Sequence, residues 1–177
     1  MNEPSLGPIV SFYRGLSPDT EGRRLADIQA WDDQQLERVH NYIQWLFPLT
    51  TRSQFNWNAP LLDAAQIEAF QTDSGLQAAL LKSLDVMLRF YGFQRMEQGG
   101  KLVIELAANW QQQQANWLTP GNHNFLRLTR ILTCLHTLGL PDAAQALFIA
   151  LEKIYHSPAG QPIGSETFRY WQHSTLS

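Results

Sequence analysis

Glu37 and His40 stand three residues apart. On a helix that spacing sets a carboxylate and an imidazole on one side, the arrangement with which bundle proteins hold a pair of metal ions. Such a centre needs a second Glu-x-x-His and two further glutamates; no second Glu-x-x-His occurs, so no metal is expected. His-Glu-x-x-His is also missing, which removes the zincin pattern. Cys134 is the one cysteine, with His123 and His136 near it in sequence. His136 falls on a different side of a helix, and a lone cysteine in a leucine-rich helix packs as a small hydrophobe. Neither a Gly-rich phosphate loop nor a Gly-x-Ser-x-Gly elbow is present. No catalytic residue is assigned and no cofactor is expected.

The chain does carry two polar strips of opposite sign. On a continuous helix from Asp33 to Pro48, Leu36, Val39, Ile43, Leu46 and Phe47 make an apolar face. Asp33, Glu37, His40 and Gln44 run along one edge of that face. On a second helix over 122–138, His123, Arg127, Arg130 and Cys134 hold the equivalent edge. If these helices pack together, Arg127 and Arg130 can take carboxylate partners from Asp33 and Glu37, with His40, Gln44 and His123 completing a hydrogen-bonded network. One reading is a structural network that sets helix register, and this is favoured; the other is a pocket whose arginines receive an anionic ligand. Tyr42 and Trp45, on the opposite side of the first helix, are either sandwiched within the fold, the favoured reading, or serve as interface aromatics.

Helices must position both strips. Leu6, Ile9, Val10 and Tyr13 predict a short helix over about residues 5–14, and Leu25, Ile28 and Trp31 a helical turn leading into Asp32. Asp32 can cap the helix that follows, and Pro48 stops it. Residues 50–60 read as a loop pinned by Phe55 and Trp57. Asp63 can cap a short helix to Phe70, and Asp73 or Ser74 a longer one to Tyr91. Leu102, Val103, Ile104 and Leu106 fit a short strand as well as the entry to a helix; helix over 104–117 is preferred. Gly139, Pro141 and the small-residue face Ala143, Ala146 and Ala150 complete an αα-hairpin at about 122–156. The expected fold is all-α, a single compact multi-helix domain over 1–177.

With 44% hydrophobic residues and six tryptophans in 177 positions, the chain is too apolar to remain disordered. Its net charge of −3 lacks the basic surplus of a phosphate-tracking protein, so no nucleic acid partner is expected. No run approaches the roughly 20 apolar residues of a membrane span. The N-terminus has neither the basic region nor the apolar run of a signal peptide. A single cysteine fits a reducing compartment, and a cytoplasmic location is expected.

Two long motifs carry a family likeness. His40-Asn41-Tyr42-Ile43-Gln44-Trp45-Leu46-Phe47-Pro48, with Gly121-Asn122-His123-Asn124 and Leu126-Arg127-Leu128-Thr129-Arg130-Ile131-Leu132, resembles the conserved region of the opioid growth factor receptor family. The likeness runs from Phe12-Tyr13 to Tyr170-Trp171. It implies a helical domain and, in the animal members, a receptor for an enkephalin peptide associated with the nucleus. The 177 residues are little more than the conserved region, and a free-standing, bacterial-type version without the long repeat-bearing extension is expected. The function read here is non-catalytic: binding a peptide, protein or small ligand in a pocket between the two strip-bearing helices. The alternative is an enzyme acting on an anionic small molecule through Glu37, His40, His123 and the two arginines.

Overall fold

The computed structural model describes residues 6–176, so the predicted start of the first helix at residue 5 and the N-terminal segment before it lie outside the described residues. The chain divides into two compact units, the first ending at Ser83 and the second beginning at Leu84.

The first unit opens with α1 (Pro8–Tyr13), α2 (Leu25–Gln29), α3 (Asp33–Arg38) and α4 (Ile43–Leu46). It continues with α5 (Ala64–Thr72) and the first part of α6 (Ser74–Tyr91). Carboxylates start three of these helices. Asp32 accepts from the Gln35 amide at 2.8 Å, Asp63 from that of Gln66 at 2.8 Å, and Asp73 from Gly75 at 2.8 Å and Leu76 at 3.3 Å. Those backbone bonds, and then Arg14, hold the Asp73 carboxyl below the usual carboxylate range. Ile9, Phe12, Ile28, Leu36, Leu46, Phe47 and Phe70 form the core of this unit. Phe12 meets Trp45 edge-on at 5.2 Å, and Tyr13 meets Phe70 in the same way.

The second unit contains the rest of α6, β1 (Phe93–Gln98), β2 (Lys101–Leu106), α7 (Trp110–Trp117), α8 (Asn124–Thr137), α9 (Pro141–Tyr155) and α10 (Ser165–Ser174). Its core is threaded by aromatic rings, Tyr91 on Trp117, Trp117 on Phe125 and Phe125 on Trp171. Two of its indoles donate to backbone as well, Trp117 to the Tyr91 carbonyl at 3.0 Å and Trp171 to that of Phe125 at 3.2 Å. Buried indole N–H groups need such acceptors. α8 and α9 pack on one another, α10 packs on α8, and β2 packs on α9.

The fold is therefore not all-α. β1 and β2 form an antiparallel hairpin, with Phe93 opposite Leu106 and Gln98 opposite Lys101. The expected helix over 104–117 begins only at Trp110, and its first residues belong to β2. Three glycines account for this. Gly92 (φ 95°) ends α6 by donating to the Leu88 carbonyl at 2.9 Å, and Gly99 and Gly100 (φ 57° and 78°) form a two-residue turn with positive φ at both positions.

Two further expectations change. Phe55 and Trp57 do not pin their loop: they are 81% and 67% exposed. The loop is closed by Leu62 N–H on the Leu49 carbonyl at 2.9 Å, and Arg52 lies over the Trp57 ring at 5.6 Å. The helix expected from Asp33 to Pro48 is two short ones, interrupted after Arg38.

Candidate functional site

The interruption in the first strip is accompanied by side-chain bonds to the residues around it. The Leu36 carbonyl would accept from the residue 40 amide in a continuing helix; here the Tyr42 hydroxyl donates to it at 2.8 Å. Val39 is extended (φ −86°, ψ 132°), a conformation that suits its β-branched side chain. Asn41 is held by Arg23, whose Nη1 donates to Asn41 Oδ1 at 2.9 Å. Arg23 is itself paired with buried Asp19 at 2.7 Å and lies over the Trp31 ring.

Asp33 and Glu37 remain on α3, both half-buried, with Glu37 one turn after Asp33. His40 sits in the bend, exposed, so Glu37 and His40 share no helix face and their metal-pair spacing loses its geometric meaning. Among the described residues no group of three or more His, Cys, Asp and Glu is placed to hold a metal ion. Gln44 is buried on α4, its Oε1 accepting from Asn56 Nδ2 at 3.4 Å. Tyr42 (0% exposed) and Trp45 (4%) are both buried, Tyr42 edge-on to Trp31 and Trp45 to Phe12.

The second strip lies along α8. His123 is exposed at the helix entrance without a side-chain capping bond. Capping falls to Asn122, whose Oδ1 accepts from both the backbone and the side-chain amide of Asn124, at 2.9 and 3.0 Å. Fully buried Asn124 turns its own Oδ1 to the Tyr91 hydroxyl at 3.2 Å and Arg127 Nη1 at 3.4 Å. Arg127 is 6% exposed. Arg130 is half-buried, and burial pushes its guanidinium pKa down while the Cys134 sulfur opposes that shift. Burial drives the Cys134 thiol far up, with Arg130 acting the other way. A fully buried neutral thiol is no nucleophile.

The strips thus fall in different units, Asp33 to Gln44 in the first and His123 to Arg130 in the second. Periodicity found Arg127 and Arg130 as edge residues but missed Asn124, which accepts from Arg127, and Tyr91, which donates to the same Asn124 oxygen. Asn124 follows Gly121 and Asn122, where short polar residues read simply as helix start signals.

Periodicity also missed two recesses in the second unit. One, of about 480 Å³, lies between the hairpin and α9; Phe93, Ile104, Leu106, Trp110, Ala150 and Ile154 give it apolar walls, and Glu105, Lys153 and Ser157 stand at it. Leu106 is 47% exposed. The other, of about 270 Å³, joins Arg95 and Glu97 to the turn into α9 at Gly139 and Asp142. Arg95 is fixed there by a two-pronged bond to Asp85, 2.8 Å on each prong, which holds its pKa up.

Comparison with known proteins now bears on this arrangement. The profile of the opioid growth factor receptor (OGFr) conserved region matches residues 12–175. The chain belongs to that family. It is similar to the opioid growth factor receptor of Homo sapiens, 40% identical over 139 residues that make up 75% of this chain and 20% of the human protein. The Rattus norvegicus receptor is 39% identical over 74% of this chain and 23% of its own length. Opioid growth factor receptor-like protein 1 of Mus musculus is 37% identical over 73% of this chain and 28% of its own. The chain therefore spans between a fifth and just over a quarter of the curated relatives it matches. These animal relatives give no support to a bacterial origin. No solved structure matches. The matched residues span both units and both strips.

Proposed function

We propose that this chain is a non-catalytic binding domain that receives an apolar or aromatic side chain of a peptide or protein in the cleft between the hairpin and α9. One observation carries the reading: a half-open space of about 480 Å³ with apolar walls and a few polar groups beside it, within the size and character of ligand-binding clefts. Leu106, nearly half open to solvent, is the part of the wall a ligand would cover. The relatives are named as receptors of an opioid growth factor, which makes opioid peptides the first ligand class to test. Among the described residues no helix is long and apolar enough to cross a membrane. A cytoplasmic location is part of the same proposal, supported by the single, buried, reduced cysteine.

A thermal-shift titration with opioid peptides tests it, because a ligand that binds only the folded state raises the melting temperature. The expected result is a rise with the unaltered chain and none with Leu106→Glu, whose exposed position should leave the unliganded melting temperature nearly unchanged. Equal protection of the variant would place binding elsewhere. A flat response across peptides would count against this ligand class.

A further inference from the structure

The hairpin leaves a strand edge open. Ala107 N–H donates to the Gly92 carbonyl at 2.9 Å, one step beyond the Phe93–Leu106 pair. Hydrogen-bonded and non-bonded pairs alternate along an antiparallel ladder. Gln94, Met96 and Gln98 therefore bond to β2, while Arg95 and Glu97 direct their N–H and C=O groups to the opposite side. Among the described residues, the backbone of Arg95, Met96 and Glu97 makes no hydrogen bond outside the ladder.

We propose that β1 pairs antiparallel with β1 of a second copy of this chain, joining two hairpins into one four-stranded sheet. Charge sets the register. Arg95 and Glu97 carry the outward-facing groups, so the two-fold axis can pass through Arg95, Met96 or Glu97 while staying among these residues. An axis at Arg95 or Glu97 sets like charges face to face, which is unfavourable. An axis at Met96 sets Arg95 opposite Glu97 of the second copy, twice. Met96, 38% exposed in the single chain, then packs on its equivalent.

The single chain is prepared for this contact. Nε and Nη2 of Arg95 hold the Asp85 carboxylate, which fixes the guanidinium and leaves Nη1 outside that pair. Glu97 is exposed and takes part in no ion pair among the described residues. Solvent-facing edges usually carry a proline, a bulge or an unmatched charge that discourages pairing. β1 has no proline, its register from Phe93 to Gln98 is unbroken, and its charges match those of its own copy. One strand pair buries less than a standard interface, so association is weak and depends on concentration.

Sedimentation of the full chain over a concentration series into the high micromolar range tests this. The expected mass rises from 20.2 kDa towards twice that value. Met96→Lys and Glu97→Arg, both at exposed positions, should each weaken association at least tenfold. Arg95→Glu should do the same, and mixing it with Glu97→Arg should restore a dimer, because each copy then supplies the charge that the other has lost. If Arg95→Glu fails to fold, the two exposed variants decide. The proposal is overturned by a chain that stays at 20.2 kDa throughout, by a dimer that survives both exposed variants, or by folded charge-swapped chains that do not associate when mixed.

Discussion

Arg127 is the residue at which the expected network and the observed one can be compared directly. Its place on the edge of α8 follows from helical spacing alone, because residues three and four apart share a face. Its burial and its bond to Asn124 do not, since they depend on Asn124 being folded inward to meet Tyr91. Arg127→Ala removes one donor from the fully buried Asn124 carbonyl oxygen, leaving the Tyr91 hydroxyl. The lost hydrogen bond has a charged donor, and such a bond contributes about 1.5–3 kcal/mol. At roughly 2–4 °C per kcal/mol for a chain of this size, the melting temperature should fall by several degrees. A thermal melt followed by circular dichroism checks this. An unchanged midpoint would mean that the guanidinium contributes little to stability and leave binding as its role.

At the scale of elements, legibility depended on whether a local signal competed with a distant one. Asp32, Asp63 and Asp73 were readable as helix starts because capping involves only neighbouring amides. The break after Arg38 was not, because Val39-His40-Asn41 contains neither glycine nor proline; the break depends on the Tyr42 hydroxyl and on Arg23, eighteen residues before Asn41. β2 showed its apolar run, but β1 reads Phe-Gln-Arg-Met-Glu-Gln, without the alternation that marks a half-buried strand. Only the Gly99-Gly100 pair signals a hairpin, and a glycine pair by itself marks a connection without fixing what it connects. The turn therefore merits a test of its own. A Cβ at either glycine meets nothing within 4 Å, so any penalty at positive φ comes from the backbone. Gly100→Val should cost roughly 1–2 kcal/mol by that backbone penalty, whereas Gly99→Asn should cost less because asparagine tolerates this region. Chemical denaturation of the two variants checks the order, and equal losses would argue against a turn with positive φ at both positions.

At the scale of the whole molecule, α6 contributes residues to both units, crossing from Ser83 to Leu84 without interruption. A helix melts cooperatively, because its turns are linked by bonds between residues four apart. We therefore predict that the chain unfolds as a single domain, with one calorimetric transition whose measured and van't Hoff enthalpies agree. Lys82 offers the means to test the part played by α6. It is exposed, so replacing it disturbs no core packing, and it lies just before the boundary. Proline there removes a helical hydrogen bond and clashes with the preceding turn, at about 3 kcal/mol or more. Lys82→Pro should lower the melting temperature and separate the single endotherm into two. Two endotherms in the unaltered chain would show units that unfold independently. A single, merely shifted endotherm in the variant would show that cooperativity does not depend on the continuity of α6.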